Sequence, residues 1–378
     1  MHILVIPSWY SSERKKVHGS FFTEQFKALK DSGIKVTVAY NEIWPITLLG
    51  KIKEKRGIHF NIEFGLNTYR YKDYNFLPKN PLMFKVFNRR IDKIYKKIVK
   101  EQGKIDIIHA HSCFWGGIAA DYLASKYNIP LVITEHTSLK HSRYVRDSYK
   151  KYIFKAYDDC NALIAVGNGL KEELGSYTKN KVKVIHNLVD LDLFNLKDEK
   201  PNEMFTFFSL AYLEAGKGME LLIKTFAKAF KGKECRLKIG GDGGIKGTLE
   251  ALAEDLGISG QVIFLGALER EEAAKEMGRC DAFVLASEYE TFGVVYIEAT
   301  ASGKPIIATR NGGAEDIVTK TNGIIVENYN EKLLADALKE MKASIKNYDR
   351  TKIRKECEEK YSKEVIAEKI IKVYGEVL

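Results

Sequence analysis

The chain has 378 residues, 45% of them hydrophobic, and a formal net charge of +10. That length exceeds the usual span of one hydrophobic core, so two domains are expected. Nothing approaches the roughly 20 apolar residues of a membrane span. The apolar start Met1–Pro7 lacks the length and basic leader of a signal peptide. Cys113, Cys160, Cys235, Cys280 and Cys357 form no Cys-x-x-Cys, which argues against a disulfide framework or zinc site and for a reducing cytoplasm.

In chain order, apolar β-rich runs fall at 2–7, 34–40, 105–109, 130–134, 161–166 and 182–186. A second series follows at 204–210, 235–240, 261–265, 281–286, 305–309 and 323–326. Amphipathic helical patterns separate most of them, which predicts two doubly wound parallel sheets covered by helices. The polar stretch from Asp190 to Glu203, with Lys197-Asp-Glu-Lys-Pro at its centre, is the expected joint. The last helix, about 363–378, has an apolar face that must pack on something.

Charge is uneven. Residues 1–190 carry 32 Lys+Arg against 18 Asp+Glu, a net +14, and the remainder carries −4. The excess concentrates between Lys51 and Lys104, with 15 basic and 5 acidic residues. A basic patch suits nucleic acid, anionic lipid or an anionic substrate, and equally a solvated face. The run 82–100 puts Phe84, Phe87, Ile91, Ile94 and Ile98 on one helical face and basic residues on the other. Such a helix lies on an anionic membrane or covers a core.

The segment 287–305 carries the strongest chemical signal. Glu290 follows an expected strand, Thr291-Phe-Gly293 turns into a helix, and that helix carries Glu298. Ligands of open parallel sheets bind beyond the carboxyl ends of strands, where helix N-termini point. A carboxylate there can accept both hydroxyls of a vicinal diol. Lys217-Gly218 precedes another helix, where a cation and a helix N-terminus together suit a diphosphate.

Gly240-Gly-Asp-Gly-Gly has the setting of a phosphate loop, but Lys246 stands where Gly-x-Gly-x-x-Gly needs its third glycine. A dinucleotide-dependent dehydrogenase is therefore not expected. His109, His111 and His136 end strands without a zinc-type carboxylate pattern. Asp190-Leu-Asp192 reads as turn chemistry. There is neither a Gly-x-Ser-x-Gly elbow nor a P-loop.

Together these residues resemble the retaining glycosyltransferases of glycosyltransferase family 4. The marks are Trp9-Tyr10, His18-Gly-Ser-Phe-Phe-Thr-Glu-Gln-Phe, Ile108-His-Ala-His-Ser, Thr134-Glu-His136 and Val184-Ile-His-Asn-Leu-Val-Asp190. Lys217-Gly, Gly241-Asp-Gly, Phe264-Leu-Gly and Glu290-Thr-Phe-Gly…Glu298-Ala…Gly303-Lys-Pro complete them. The resemblance implies a GT-B fold, two Rossmann-like domains facing across a cleft. Residues 1–190 would bind the acceptor and 191–360 the nucleotide sugar, with 361–378 packing back on the N-terminal domain.

It also implies roles. Glu298 would bind the ribose diol and Glu290 hydroxyls of the transferred sugar. Backbone amides of Phe292, Gly293 and Val294 would receive sugar or phosphate. Lys217 would stabilise the leaving diphosphate, Gly19 would let the N-terminal loop approach it, and His136 would donate a hydrogen bond to the sugar. Phe264–Leu268 would line the base pocket through backbone. The family's usual Gly-Arg-Leu is here Ala211-Tyr-Leu, so Tyr212 replaces a diphosphate-binding arginine, and Arg310 or Lys304 are candidate substitutes.

The expected protein is a cytoplasmic, metal-independent hexosyltransferase without a cofactor. Its partners would be a nucleotide-sugar donor and a saccharide or lipid-linked acceptor in surface polysaccharide assembly, with an anionic membrane surface as a further candidate. Alternatives are a synthase of a small soluble glycoside and a non-catalytic basic nucleic-acid-binding protein; the intact Glu290, Glu298, Lys217 and His136 set argues against the second.

Overall fold

The computed structural model describes residues 1–12, 19–196 and 202–378. His18 of the N-terminal motif and the Lys197–Pro201 centre of the joint lie outside the described residues. The chain divides into two compact units, Met1–Asn187 with Lys363–Leu378, and Leu188–Ser362.

In the first unit the strands are β1 His2–Pro7, β2 Lys35–Pro45, β3 Gly57–Glu63, β4 Leu66–Asn75, β5 Ile107–His111, β6 Leu131–Glu135, β7 Ala162–Ala165 and β8 Val182–Val184. They form one sheet in the order β3-β4-β2-β1-β5-β6-β7-β8. The order reverses at β1, which pairs in parallel with both β2 and β5, so the ligand position of a doubly wound sheet falls beyond the carboxyl ends of β1 and β5.

Helices α1 Ser20–Asp31, α2 Met83–Gln102, α3 Ile118–Tyr127, α4 Asp147–Asp159 and α5 Asn168–Gly175 connect the strands. Central strands such as β1, β5 and β6 are buried along their whole length, which is why they read as continuous apolar runs.

One expectation needs correction here, and one open alternative is decided. Residues 57–75 form a hairpin, and β3 is antiparallel to β4; the sheet is therefore mixed at one edge. The edge strand β3 has no buried residue, so it carries no apolar run to mark it. The apolar face of α2 is core: Phe84, Phe87, Ile91, Ile94 and Ile98 are all buried. Arg90 is not a surface charge either. It is buried, with Nη2 donating to Asp73 Oδ2 at 2.9 Å and to the Tyr74 carbonyl at 2.8 Å.

The second unit holds β9 Phe205–Leu210, β10 Cys235–Gly240, β11 Val262–Gly266, β12 Ala282–Leu285, β13 Ile306–Thr309 and β14 Gly323–Val326. All pair in parallel, in the order β11-β10-β9-β12-β13-β14. Helices α6 Met219–Phe230, α7 Lys246–Asp255, α8 Arg270–Arg279, α9 Val294–Ala301, α10 Glu331–Ser344 and α11 Arg350–Tyr361 accompany them. The reversal lies between β9 and β12, the two strands followed by Lys217 and Glu290.

The chain ends in α12 Lys363–Val377, which belongs to the first unit. Its Tyr374 hydroxyl lies 2.6 Å from His109 Nδ1. Among the described residues no helix is long and apolar enough to cross a membrane.

Candidate active site

In the second unit three backbone approaches bring the loops after β9, β10 and β12 together. Gly218 caps α6 in the left-handed conformation, at φ 66°. A Cβ there would stand 1.7 Å from the Ala286 carbonyl oxygen. The Gly216 carbonyl accepts from Glu288 N at 2.8 Å and from Ser287 Oγ at 3.2 Å. A Cβ on Gly243 would stand 2.2 Å from the Leu213 carbonyl oxygen, so the glycine loop serves close packing against the loop after β9.

The outcome is a pair that the spacing alone did not announce: Lys217 Nζ lies 2.8 Å from Glu290 Oε1. Glu290 is fixed in turn by its own N–H, which donates to the Asn311 carbonyl at 2.9 Å. Asn311 Nδ2 donates to the Tyr296 hydroxyl at 3.0 Å, and its Oδ1 accepts from Gly313 N and Ala314 N. Neither Asn311 nor Tyr296 stood out in the sequence, since one is a loop amide and the other an apolar-face aromatic.

Gly293 caps α9 at φ 88° with no side-chain cap, which leaves first-turn N–H groups of α9 without intrahelical partners. The Phe292 side chain is fully buried against Tyr361, so any donor contact from this residue comes from its backbone. Glu298 is 5% exposed. Burial pushes its carboxyl up, and the Arg270 charge opposes that. Phe264 lies within β11 and Leu268 just past its carboxyl end, where the Gly266 carbonyl accepts from Gly241 N at 2.7 Å.

The proposed substitutes for the missing arginine fare unequally. Tyr212 is 65% exposed. Arg310 stands at the carboxyl end of β13 but pairs with Glu327 at 2.9 Å. Lys304 is buried before β13, at the amino end of the parallel strands and so opposite the carboxyl end that carries Lys217, and does not reach a diphosphate held there.

In the first unit His136 follows β6 and is 8% exposed. Its Nε2 lies 3.2 Å from His111 Nδ1, and Phe21 and Phe22 of α1 pack on its ring. Its Nδ1 is buried without a partner. Burial depresses its pKa to about 3, so His136 is neutral and offers a hydrogen bond rather than a proton.

Glu135, part of the Thr134-Glu-His136 motif, organises this end. It accepts from Cys113 N and the Tyr157 hydroxyl on one oxygen, and from His136 N and Thr137 N on the other. His109 is core: both ring nitrogens are engaged, by Tyr374 and Thr134. Gly19 caps α1 at φ 78°, where a Cβ would stand 3.1 Å from the Trp9 carbonyl oxygen. Asp190 holds its own turn, its Oδ1 accepting from Asp192 N and Leu193 N.

Two doubly wound α/β units, each with polar groups gathered at its strand reversal, define the GT-B class. Residues 19–193 match the model of Glycosyltransferase Family 4, and residues 194–373 that of Glycosyl transferases group 1. An uncharacterized glycosyltransferase of Methanocaldococcus jannaschii is 32% identical over 293 residues, covering 75% of this chain and 79% of that one. The putative teichuronic acid biosynthesis glycosyltransferase TuaC of Bacillus subtilis is 27% identical over 89% of this chain and 88% of its own. The structure of Anabaena HepE in complex with UDP-glucose has a TM-score of 0.75 at 16% identity, covering all of both chains. The chain belongs to the family 4-like glycosyltransferases of GT-B fold.

Proposed function

We propose that the protein is a retaining hexosyltransferase that moves one sugar from a nucleotide diphosphate sugar to an acceptor hydroxyl of a lipid-linked oligosaccharide in surface polysaccharide synthesis. The observation that carries this reading is the Lys217–Glu290 pair at the strand reversal of the second unit, beside the N-terminus of α9. A sugar diphosphate presents the complementary groups, an anionic leaving group for the cation and hydroxyls for the carboxylate. Glu298 takes the ribose diol, and backbone of Phe292, Gly293 and Val294 receives sugar or phosphate. On the family resemblance Gly19 is assigned to the approach of the diphosphate and neutral His136 to a hydrogen bond with the sugar. Lys217 and helix N-termini take the part of a divalent cation, so activity is expected to survive chelation.

The likeness to a relative named for teichuronic acid biosynthesis supports a polymer acceptor, and the HepE complex makes UDP-glucose the first donor to try. The first unit is assigned the acceptor and the second the donor. We place the enzyme on the cytoplasmic membrane face, held by charge through exposed Arg89, Lys93 and Lys96.

The test is a thermal-shift panel of nucleotide sugars, followed by product analysis with lipid-linked and soluble acceptors before and after exhaustive chelation. Protection by a nucleotide sugar, with an α-linked product from an α-linked donor, is the expected result. A product formed only on a small soluble acceptor would favour the glycoside synthase. Binding of random oligonucleotides without donor protection would overturn the enzyme reading.

A further inference from the structure

The turn 190–196 has no place in the chemistry above, yet it is built into the donor unit. Its Phe194 ring is 1% exposed. Arg354 of α11 donates Nη2 to the Leu191 carbonyl at 3.0 Å and Nη1 to the carbonyls of Phe194 and Ala301. Ala301 is the last residue of α9, the helix that carries Glu298. Gly303 makes the approach possible, since a Cβ there would stand 2.4 Å from Leu196 Cδ2 and 2.9 Å from the Arg350 carbonyl oxygen.

Arg270, the first residue of α8, closes the circuit. Its guanidinium lies over the Phe194 ring, 5.5 Å from the centroid, and its Nη1 is 3.5 Å from Glu298 Oε1. The path runs from α9 through Arg354, the turn, Phe194 and Arg270 back to Glu298.

We infer that Arg270 is a positioning residue of the donor site, holding the Glu298 carboxylate for the ribose diol on a ring that the 190–196 turn delivers. The inference rests on the assignment of Glu298 to the ribose. A separation of 3.5 Å is an ion pair rather than a close hydrogen bond. It supplies charge while leaving the carboxylate oxygens able to accept two hydroxyl protons. A protonated Glu298 would lose that acceptor character, and burial favours protonation; a fixed cation beside it opposes this. The planar guanidinium suits a seat on an aromatic face in a way an ammonium does not.

The experiment measures binding of UDP and of its 2′,3′-dideoxy analogue between pH 5 and 8 to wild type, Arg270→Gln, Arg270→Lys, Glu298→Gln and the Arg270→Gln/Glu298→Gln double variant. Wild type is expected to prefer the diol. Arg270→Gln should lose about tenfold in UDP affinity, the scale on which outer partners act on the group they orient. It should change little toward the dideoxy analogue and lose UDP at a higher pH than wild type does. Arg270→Lys should recover part of the loss, and Arg270→Gln should add nothing in the Glu298→Gln background.

An unchanged preference for the diol in Arg270→Gln overturns the inference, as does an Arg270 effect that persists without the Glu298 carboxylate. A wild type that binds UDP but ignores the loss of the diol, or ignores Glu298→Gln, overturns the ribose assignment instead. Wild type that binds neither UDP nor any other nucleoside diphosphate overturns the donor reading and this inference together.

Discussion

Lys217 and Glu290 lie on loops that follow two different strands, β9 and β12, and meet at 2.8 Å. Their side chains are 31% and 15% exposed, so the pair is neither a solvated surface bridge nor a buried one. The carboxylate holds the ammonium at the strand reversal.

Lys217→Ala should lower turnover about a hundredfold, roughly 3 kcal/mol of transition-state stabilisation. Glu290→Ala should cut turnover on a similar scale while leaving binding of the free nucleoside diphosphate intact or tighter, because the cation is released. Steady-state kinetics beside calorimetric titration separates the two. Wild-type turnover in Lys217→Ala would mean that another cation serves the leaving group.

Gly216 and Gly218 offer a paired test of the loop, because both have positive φ but only one is in collision with backbone. A Cβ at Gly216 meets nothing nearer than Glu288 Oε2 at 3.8 Å. Gly216→Ala should cost about 1–2 kcal/mol, the left-handed penalty alone. Gly218→Ala must in addition move the Ala286 carbonyl, and should lose more stability and displace Lys217. Equal denaturation midpoints for the two variants would contradict this geometry.

Three buried histidines make stability depend on pH. Burial holds His109 and His136 at about 3 and His111 well below its ordinary value of 6.5. A depressed base binds fewer protons folded than unfolded, so this stability is whole above about pH 6.5 and is lost as pH falls toward 3. Each proton contributes a slope of about 1.4 kcal/mol per pH unit once the unfolded histidine is charged. Glu135 and Glu298 work in the opposite sense, because burial raises both and their protonation in the folded state returns stability as pH falls. Replacing His111 by Asn should therefore make the decline shallower. An unchanged slope in urea titrations at pH 7.5, 6.5 and 5.5 would refute a neutral buried His111.

The exposed charges of α2 separate membrane docking from folding. Changing Arg89, Lys93 and Lys96 to Gln should leave the melting temperature near wild type. It should weaken sedimentation with anionic liposomes by about 1 kcal/mol per charge, less at high salt. Arg90→Gln should do the reverse: Asp73 loses a buried partner, and stability falls. Wild-type liposome binding by the triple variant would leave the basic face of α2 merely solvated.

The sequence by itself determined the alternation of strands and helices, because buried parallel strands are continuous apolar runs whose signal is local. It also placed the candidate residues: Glu290, Lys217 and His136 stand in the loops after β12, β9 and β6, and Glu298 lies within α9. Only the tertiary structure decided what each of these touches. The antiparallel β3 escaped notice because this edge strand buries none of its residues and so carries little pattern. The Lys217–Glu290 pair, the Asn311 clamp and the Arg354–Phe194–Arg270–Glu298 circuit join residues tens of positions apart. Periodicity records which face of an element is apolar; it carries no information about which loops the packing of separate strands brings within hydrogen-bond reach.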